Sequence, residues 1–300
     1  MMKKVAVFGQ TYTVNADKEI KILLKSLEEH KIVIFFEKNF YDVLNEHHHL
    51  DKKYPTFKNF EDLNSSFDMF FSLGGDGTML RAITYVRDLD IPILGINTGR
   101  LGFLANVKKS EIVESINLLV AGEYRIQERT LLSIQTKPEV EEFKELSFAL
   151  NEITIARKNT TSMIGVETYL NGEYLTNYWS DGLIIATPTG STGYSLSCNG
   201  PVISPNSENF VITPIAPHNL NARPMVIPDH TTIELRVDSR EKDFLISLDS
   251  RISTVSRKTK IFIQKSSFTI KTIIPANQSF LTTLRTKLLW GEDTRNESNL

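Results

Sequence analysis

The chain contains one cysteine, Cys198, among 300 residues. A single thiol excludes an intramolecular disulfide framework and any zinc centre built on cysteines, and a lone cysteine reads as a small buried hydrophobe. Charge of one sign is also lacking: 34 Lys and Arg stand against 36 Asp and Glu, a formal net charge of −2. So balanced a chain has no global field to draw it onto nucleic acid or anionic lipid, and any polyanion it binds must be held by a local site. Long apolar runs are missing. Val5-Ala6-Val7-Phe8 stops at Gly9, too short for the apolar segment of a signal peptide, and no stretch approaches the ~18 apolar residues of a membrane span. The expectation is a cytoplasmic protein with neither membrane nor nucleic-acid partners. His47-His48-His49 resembles a metal tract, but three consecutive histidines on a polar stretch cannot all face one ion, so a solvated loop is expected there and no metal site.

What is present is an ordinary globular composition, 41% hydrophobic and 23% charged, long enough for two domains. Over the first 125 residues strand and helix patterns alternate. Val5 to Phe8, Ile32 to Phe36, Met69 to Leu73 and Ile91 to Ile96 read as buried strands. Asp17 to His30 carries Ile20, Leu23, Leu24 and Leu27 on one helical face; further helices are expected near Tyr41 to Glu46, from Thr78 to Leu89, and from Ser110 to Gly122. This order predicts an α/β domain, a mostly parallel sheet flanked by helices. From about Arg125 the period changes to 2. Strands are read from Leu132 through Phe268 to Ile273, and Asn171-Gly172 between two of them is a strong hairpin signal. That half predicts an all-β, sandwich-like domain. After Pro275 the pattern Phe280-Leu281-Leu284-Leu288-Leu289-Trp290 is helical again and needs an apolar surface, for which the α/β half is the expected host. The expected division is residues 1–125 with a returning segment 276–300, and a β-rich domain over 126–275.

Gly74-Gly75-Asp76-Gly77-Thr78 follows an apolar strand and opens a helix, the place where open α/β sheets hold ligands. Its glycines let the backbone approach a phosphate and supply N–H groups to it, and the helix offers its positive end. Asp76 would repel phosphate unless a divalent cation or a hydroxyl proton sat beside it; a carboxylate there can accept the proton of an attacking hydroxyl. The plainer reading is a tight turn with Asp76 as helix N-cap. A second cluster, Gly95 to Leu104, adds another donor-rich loop with Arg100 as a phosphate contact, or a wide loop with structural glycines. In the β half, Thr189 to Ser197 packs small hydroxyls that suit ribose and phosphate oxygens, and Tyr194 can stack on a ring; a Ser/Thr-rich turn capping a helix is the alternative. Asn151-Glu152 precedes Ile153 on a strand. Adjacent strand residues face opposite sides, so both reach one ligand only at a bulge or a strand end.

Gly74 to Thr78, Gly95-Ile96-Asn97 to Leu104, Asn151-Glu152, Asp181-Gly182, Thr187 to Ser197 and the turn Pro214 to His218, in this order and spacing, resemble the ATP-NAD kinases over roughly Val5 to Trp290. The resemblance implies transfer of the γ-phosphate of ATP to the 2′-hydroxyl of the adenosine ribose of NAD, giving NADP and ADP, with Mg²⁺ or another divalent metal as cofactor. It implies Asp76 as proton acceptor, with Gly74, Gly75, Gly77 and Thr78 as the phosphate loop. It further implies Asp76, Gly77, Asn151, Glu152, Asp181, Thr189, Thr192, Gly193, Tyr194, Ser195, Leu196, Ser197 and Ala216 around NAD. Arg81, one helical turn beyond the loop, falls where the family touches substrate, and equally reads as a solvated helix face. Gly193 stands where the family usually has alanine, and Trp179 at a position that varies. Relatives imply a homo-oligomer, a dimer or tetramer. The rival enzyme is a diacylglycerol- or sphingosine-type lipid kinase, which shares the glycine loop but needs neither Asn151-Glu152 nor the Thr187 to Ser197 segment. A non-catalytic dinucleotide sensor is the rival of another class, and an intact Asp76 argues against it.

Overall fold

The protein is described from a computed structural model over residues 2–10, 17–47, 50–99, 102–159 and 162–290. The chain divides into two compact units, 1–127 with 270–300, and 128–269.

The first unit begins β1 (Lys4–Gly9), α1 (Asp17–Glu29), β2 (Val33–Glu37), α2 (Lys38–Glu46), β3 (Thr56–Phe57) and β4 (Met69–Leu73). It continues α3 (Asp76–Val86), β5 (Ile93–Asn97), β6 (Val107–Lys108), α4 (Ile112–Ala121) and β7 (Tyr124–Arg129). Helix α1 buries Ile20, Leu23, Leu24 and Leu27, the face expected from periodicity. Removing each such leucine from water contributes roughly 1.5–3 kcal/mol. Helix α4 ends at Gly122, whose φ of 78° is the left-handed cap that glycine adopts without a Cβ penalty.

The second unit carries β8 (Leu132–Lys137), β9 (Phe148–Ala149), β10 (Glu152–Arg157), β11 (Ile164–Leu170), β12 (Glu173–Ser180), β13 (Gly182–Ala186) and the short α5 (Tyr194–Ser197). It closes with β14 (Asn209–Ile215), β15 (Met225–Pro228), β16 (Ile233–Asp238), β17 (Asp243–Leu248), β18 (Arg251–Ser256) and β19 (Lys260–Lys265). Two six-stranded sheets form, ordered β15-β14-β13-β10-β17-β18 and β12-β11-β16-β19-β8-β9. Ile153, Ile155, Leu183, Ile185 and Phe210 of the first share one core with Val166, Leu235, Ile261 and Ile263 of the second, which makes the unit a sandwich. Asn171 and Gly172, at φ 50° and 83°, turn β11 into β12 as their residue types demand. Strand β13 is buried on both faces, because Ile184 and Ala186 pack outward against Ile203, Val211 and Cys198.

The chain then returns through β20 (Ile270–Pro275) and α6 (Phe280–Leu288). The eight-stranded sheet of the first unit runs β3-β2-β1-β4-β5-β20-β7, with β6 beside β5. Strand β1 pairs in parallel with both β2 and β4, so the order reverses there, and the crevice outside their carboxyl ends is the ligand position of such sheets. Strand β20 corrects the sequence reading, which put the run to Ile273 in the β half: Thr272 pairs in parallel with Ile93. Its β-branched, mostly buried run Ile270–Pro275 reads as a strand in either half, and pattern alone cannot say which sheet receives it. Helix α6 follows into the same unit, where Phe280 meets Phe103 and Gln278 bonds Glu111. Only Leu284 of its apolar stripe is buried.

Candidate active site

The glycine loop leaves β4 at Leu73 and enters α3 at Asp76, with Gly75 as the N-cap. Asp76 is therefore the first helical residue and does not cap; its carboxylate crosses to the segment after β5. There Phe103 N–H donates to Oδ2 at 2.8 Å, and Leu104 and Ala105 N–H donate to Oδ1 at 3.0 and 2.9 Å. Gly102 allows this approach, since a Cβ at that position would sit 1.8 Å from Oδ1. The two glycine clusters of the sequence thus form one structure, with Asp76 as the joint. Gly95 is fixed by the same packing, its Cβ position lying 2.6 Å from Ala105 Cα. Gly75 and Gly77 are different. A Cβ at either meets no atom of the described residues within 4 Å, so packing among them does not explain their smallness. Thr78 is buried beneath the loop against Gly74, whose φ is 152°.

Arg81, one turn along α3, is exposed and lines a cavity of about 200 Å³ with Gln10, Glu37, Asn39, Phe40 and Tyr85. The amide oxygen of Gln10, oriented to accept, lies 2.6–3.0 Å from the Arg81 guanidinium nitrogens. Arg100 and His48-His49 lie outside the described residues.

Of the two arrangements left open for Asn151-Glu152, a bulge or a strand end, the second unit has the strand end: β10 starts at Glu152 and Asn151 precedes it. The Leu150–Glu152 backbone is held from two sides. Thr187 donates its N–H to Asn151 O at 2.9 Å and its hydroxyl to Leu150 O at 2.6 Å. On the other side Asp249 accepts from Leu150, Asn151 and Glu152 N–H at 2.9, 2.8 and 3.2 Å. Asp249 belongs to the two-residue turn between β17 and β18, almost a hundred positions away, and nothing in the sequence near it suggested a site.

The Glu152 carboxyl is pushed up to about 8, first by burial and then by the charge of Asp249, against a hydrogen bond from Tyr194 N–H. Among the described residues its Oε2 has no hydrogen-bond partner. Gly190 and Gly193 close over the pair: a Cβ on Gly190 would lie 2.0 Å from Asn151 O, and one on Gly193 3.0 Å from Glu152 Oε2. Asn151, Glu152, Gly190, Gly193 and Tyr194 are thus brought together, and Asp181 lies near enough for its charge to act on Tyr194. Asp181 pairs with Arg157 at 2.9 Å, a partner the sequence reading did not name.

The hydroxyl-rich segment separates by exposure. Thr192 and Leu196 are half-buried, and Tyr194 and Ser197 are exposed. Thr189 is buried and receives Arg129 Nη1 at 3.4 Å. Ser191 and Ser195 are fully buried, the first accepting Ile203 N–H and the second paired with Thr213 at 2.8 Å, so their hydroxyls serve the fold. Ala216 follows β14 at φ 44°, a strained value for alanine of the kind that accumulates at functional sites. The loop after it is tied to β12 by His218 N–H on Trp179 O.

Residues 4–124 match the ATP-NAD kinase N-terminal domain and residues 150–274 the ATP-NAD kinase C-terminal domain. The chain is 52% identical over 293 residues to the NAD kinase of Christiangramia forsetii, covering 98% of this chain and 100% of that one. It is 53% identical, with the same coverage, to the NAD kinase of Flavobacterium psychrophilum. Among solved structures, an Archaeoglobus fulgidus NAD kinase in complex with ATP superposes with a TM-score of 0.73 at 26% identity, over 95% of this chain and 98% of that one. Yeast NADH kinase complexed with NADH superposes at 0.85 with 20% identity, over 98% and 89%, a likeness of fold.

Proposed function

This chain belongs to the ATP-NAD kinase family, and we propose that it transfers the γ-phosphate of ATP to the 2′-hydroxyl of the adenosine ribose of NAD, yielding NADP and ADP. The observation that carries this reading is identity above one half along essentially the whole chain to curated NAD kinases. The lipid-kinase alternative is not favoured, because the match over residues 150–274 takes in Asn151-Glu152 and Thr187 to Ser197, which such an enzyme does not need.

In this reading the triphosphate lies on the N–H groups of Gly75, Asp76 and Gly77 at the start of α3, in the space left open beside Gly75 and Gly77. Asn151, Glu152 and the segment Thr189 to Ser197 hold the adenosine ribose, with Asp181, Tyr194 and Ala216 around the dinucleotide. A carboxylate offers about four acceptor positions. Three on Asp76 are taken by backbone donors, which fix its orientation; the remaining one takes the ribose proton. The 2′-oxygen then attacks the γ-phosphorus, the bond to the bridging oxygen breaks, and ADP leaves with that electron pair. Among the described residues no three His, Cys, Asp or Glu side chains converge as a cage. Magnesium would enter as part of the substrate, carried on the triphosphate, where it would neutralise phosphate charge. Arg81, held by Gln10, faces the strand-end crevice and is assigned to substrate phosphate.

No helix among the described residues is long and apolar enough to cross a membrane; we place the enzyme in the cytoplasm. We read it as a homo-oligomer, a dimer or tetramer, supported by exposed Met225, Val226 and Ile252 on the edge strands β15 and β18.

Incubation with MgATP and NAD, followed by a strictly NADP-dependent dehydrogenase, is expected to give NADP. Absence of NADP together with phosphorylation of diacylglycerol in a parallel assay overturns the reading.

A further inference from the structure

Asp249 stands at φ 52°, a left-handed position in a two-residue hairpin turn between the paired residues Leu248 and Arg251. Glycine or asparagine would satisfy that turn at least as well. What an aspartate adds is the carboxylate that turns back onto the neighbouring strand and accepts the three N–H groups of Leu150, Asn151 and Glu152. Its own N–H donates to Glu152 O at 3.0 Å, so four hydrogen bonds join this one residue to the start of β10.

We propose that Asp249 is a positioning residue for the NAD ribose, fixing the backbone of Leu150–Glu152 so that Asn151 and Glu152 stay presented together at the strand end. The inference rests on the NAD-kinase reading given above. Thr187 holds the carbonyls of Leu150 and Asn151, whereas the N–H groups of Leu150, Asn151 and Glu152 turn to Asp249; without that clamp this side of the strand end is released, and adjacent side chains of a regular strand diverge to opposite faces.

The buried charge of Asp249 has a second effect. Burial raises its carboxyl, but the backbone donors and Arg251 oppose this, whereas Glu152 has one backbone donor and an orphan Oε2. Glu152, pushed up to about 8, holds a proton at neutral pH and can donate to a ribose oxygen as well as accept. The other ionisable groups around the pair are Tyr194, Asp181 and Cys198, with Arg157 tied to Asp181.

Asp249→Asn and Asp249→Gly both suit the left-handed turn and test the proposal. NAD affinity measured by calorimetry from pH 6 to 9.5 is expected to fall in the wild type as Glu152 ionises near pH 8. In Asp249→Gly it falls about tenfold or more at pH 7, with the KM for ATP unchanged within about twofold. In Asp249→Asn the Glu152 carboxyl, followed by ¹³C NMR and assigned with Glu152→Gln, titrates about one unit or more lower, and the break in NAD affinity moves with it. Unchanged NAD affinity in both variants overturns the proposal. So does a parallel loss of NAD affinity, ATP affinity and melting temperature, which marks a general structural role, and so does an unmoved Glu152 titration. The titration needs no NAD, so it is read even if the wild type binds none, the outcome that overturns the kinase reading itself.

Discussion

Asp76 and Glu152 are carboxyl groups in opposite circumstances, and the difference makes their variants separable. Asp76 is surrounded by backbone donors, three of them within 3.0 Å. Asp76→Asn preserves shape and part of the hydrogen bonding; turnover is expected to be lost while NAD still binds, and wild-type kcat in this variant would remove Asp76 from the proton-accepting role. Asp76→Ala goes further and strands the three N–H groups, at about 1–3 kcal/mol for each that water does not reach. Its thermal midpoint should fall well below that of Asp76→Asn in calorimetry. Glu152 has a single backbone donor, from Tyr194, and is pushed up to about 8, while the unfolded chain releases the same proton near 4.5. Between those values the folded state holds the extra proton, so its stabilising contribution is complete below pH 4.5 and is lost as pH rises to 8. Glu152→Gln should remove this slope. In urea titrations the variant gains on the wild type from pH 5 to pH 9, by roughly a few kcal/mol at most; parallel curves for the two proteins would refute the assignment.

At the level of the element, the glycines separate what the fold requires from what a ligand requires. Gly102 and Gly190 meet protein atoms at 1.8 and 2.0 Å from where a Cβ would stand, so alanine at either must displace Asp76 or the Asn151 backbone. Gly75 and Gly77 face open space. Gly75→Ala and Gly77→Ala should therefore melt within a few degrees of the wild type and yet raise the KM for ATP by about tenfold or more. Gly102→Ala should lose stability and activity together, and a Gly75→Ala enzyme with unaltered KM would show that the loop does not carry the phosphates. Gly193→Ala introduces a methyl 3.0 Å from Glu152 Oε2, a contact relieved by a few tenths of an ångström, and should be tolerated. The sequence announces this loop because its residues are contiguous: strand, glycines, acid and helix stand side by side. It announces Asn151-Glu152 only as a pair of unresolved orientation. It is silent on Asp249, Arg157 and Gln10, because each enters its contact from a remote strand or turn whose local pattern is complete without it.

Across the whole chain, alternation of periods identifies a parallel α/β sheet and an antiparallel sandwich, since side-chain spacing follows directly from which faces are covered. What period cannot convey is sheet membership, and β20 illustrates the cost. It stands between β5 and β7 in the first unit's sheet, with Thr272 donating its hydroxyl to Gln127 O at 3.0 Å. The first unit is therefore built from two stretches of chain, and the second is an insertion whose ends meet, Thr269 reaching Glu128 at 3.4 Å. This arrangement predicts how fragments behave. Residues 128–269 contain both six-stranded sheets and their shared core, and should fold alone. Residues 1–127 lack the internal strand that separates β5 from β7, which leaves unpaired N–H and C=O groups on both flanks and Ile273 missing from the core. That fragment should aggregate or remain unfolded. Joining Gln127 to Ile270 through a short Gly-Ser linker and continuing to residue 290 restores the strand, and this permitted deletion should give dispersed amide NMR signals and a cooperative melt. Cooperative folding of 1–127 without the returning segment would contradict the central place of β20.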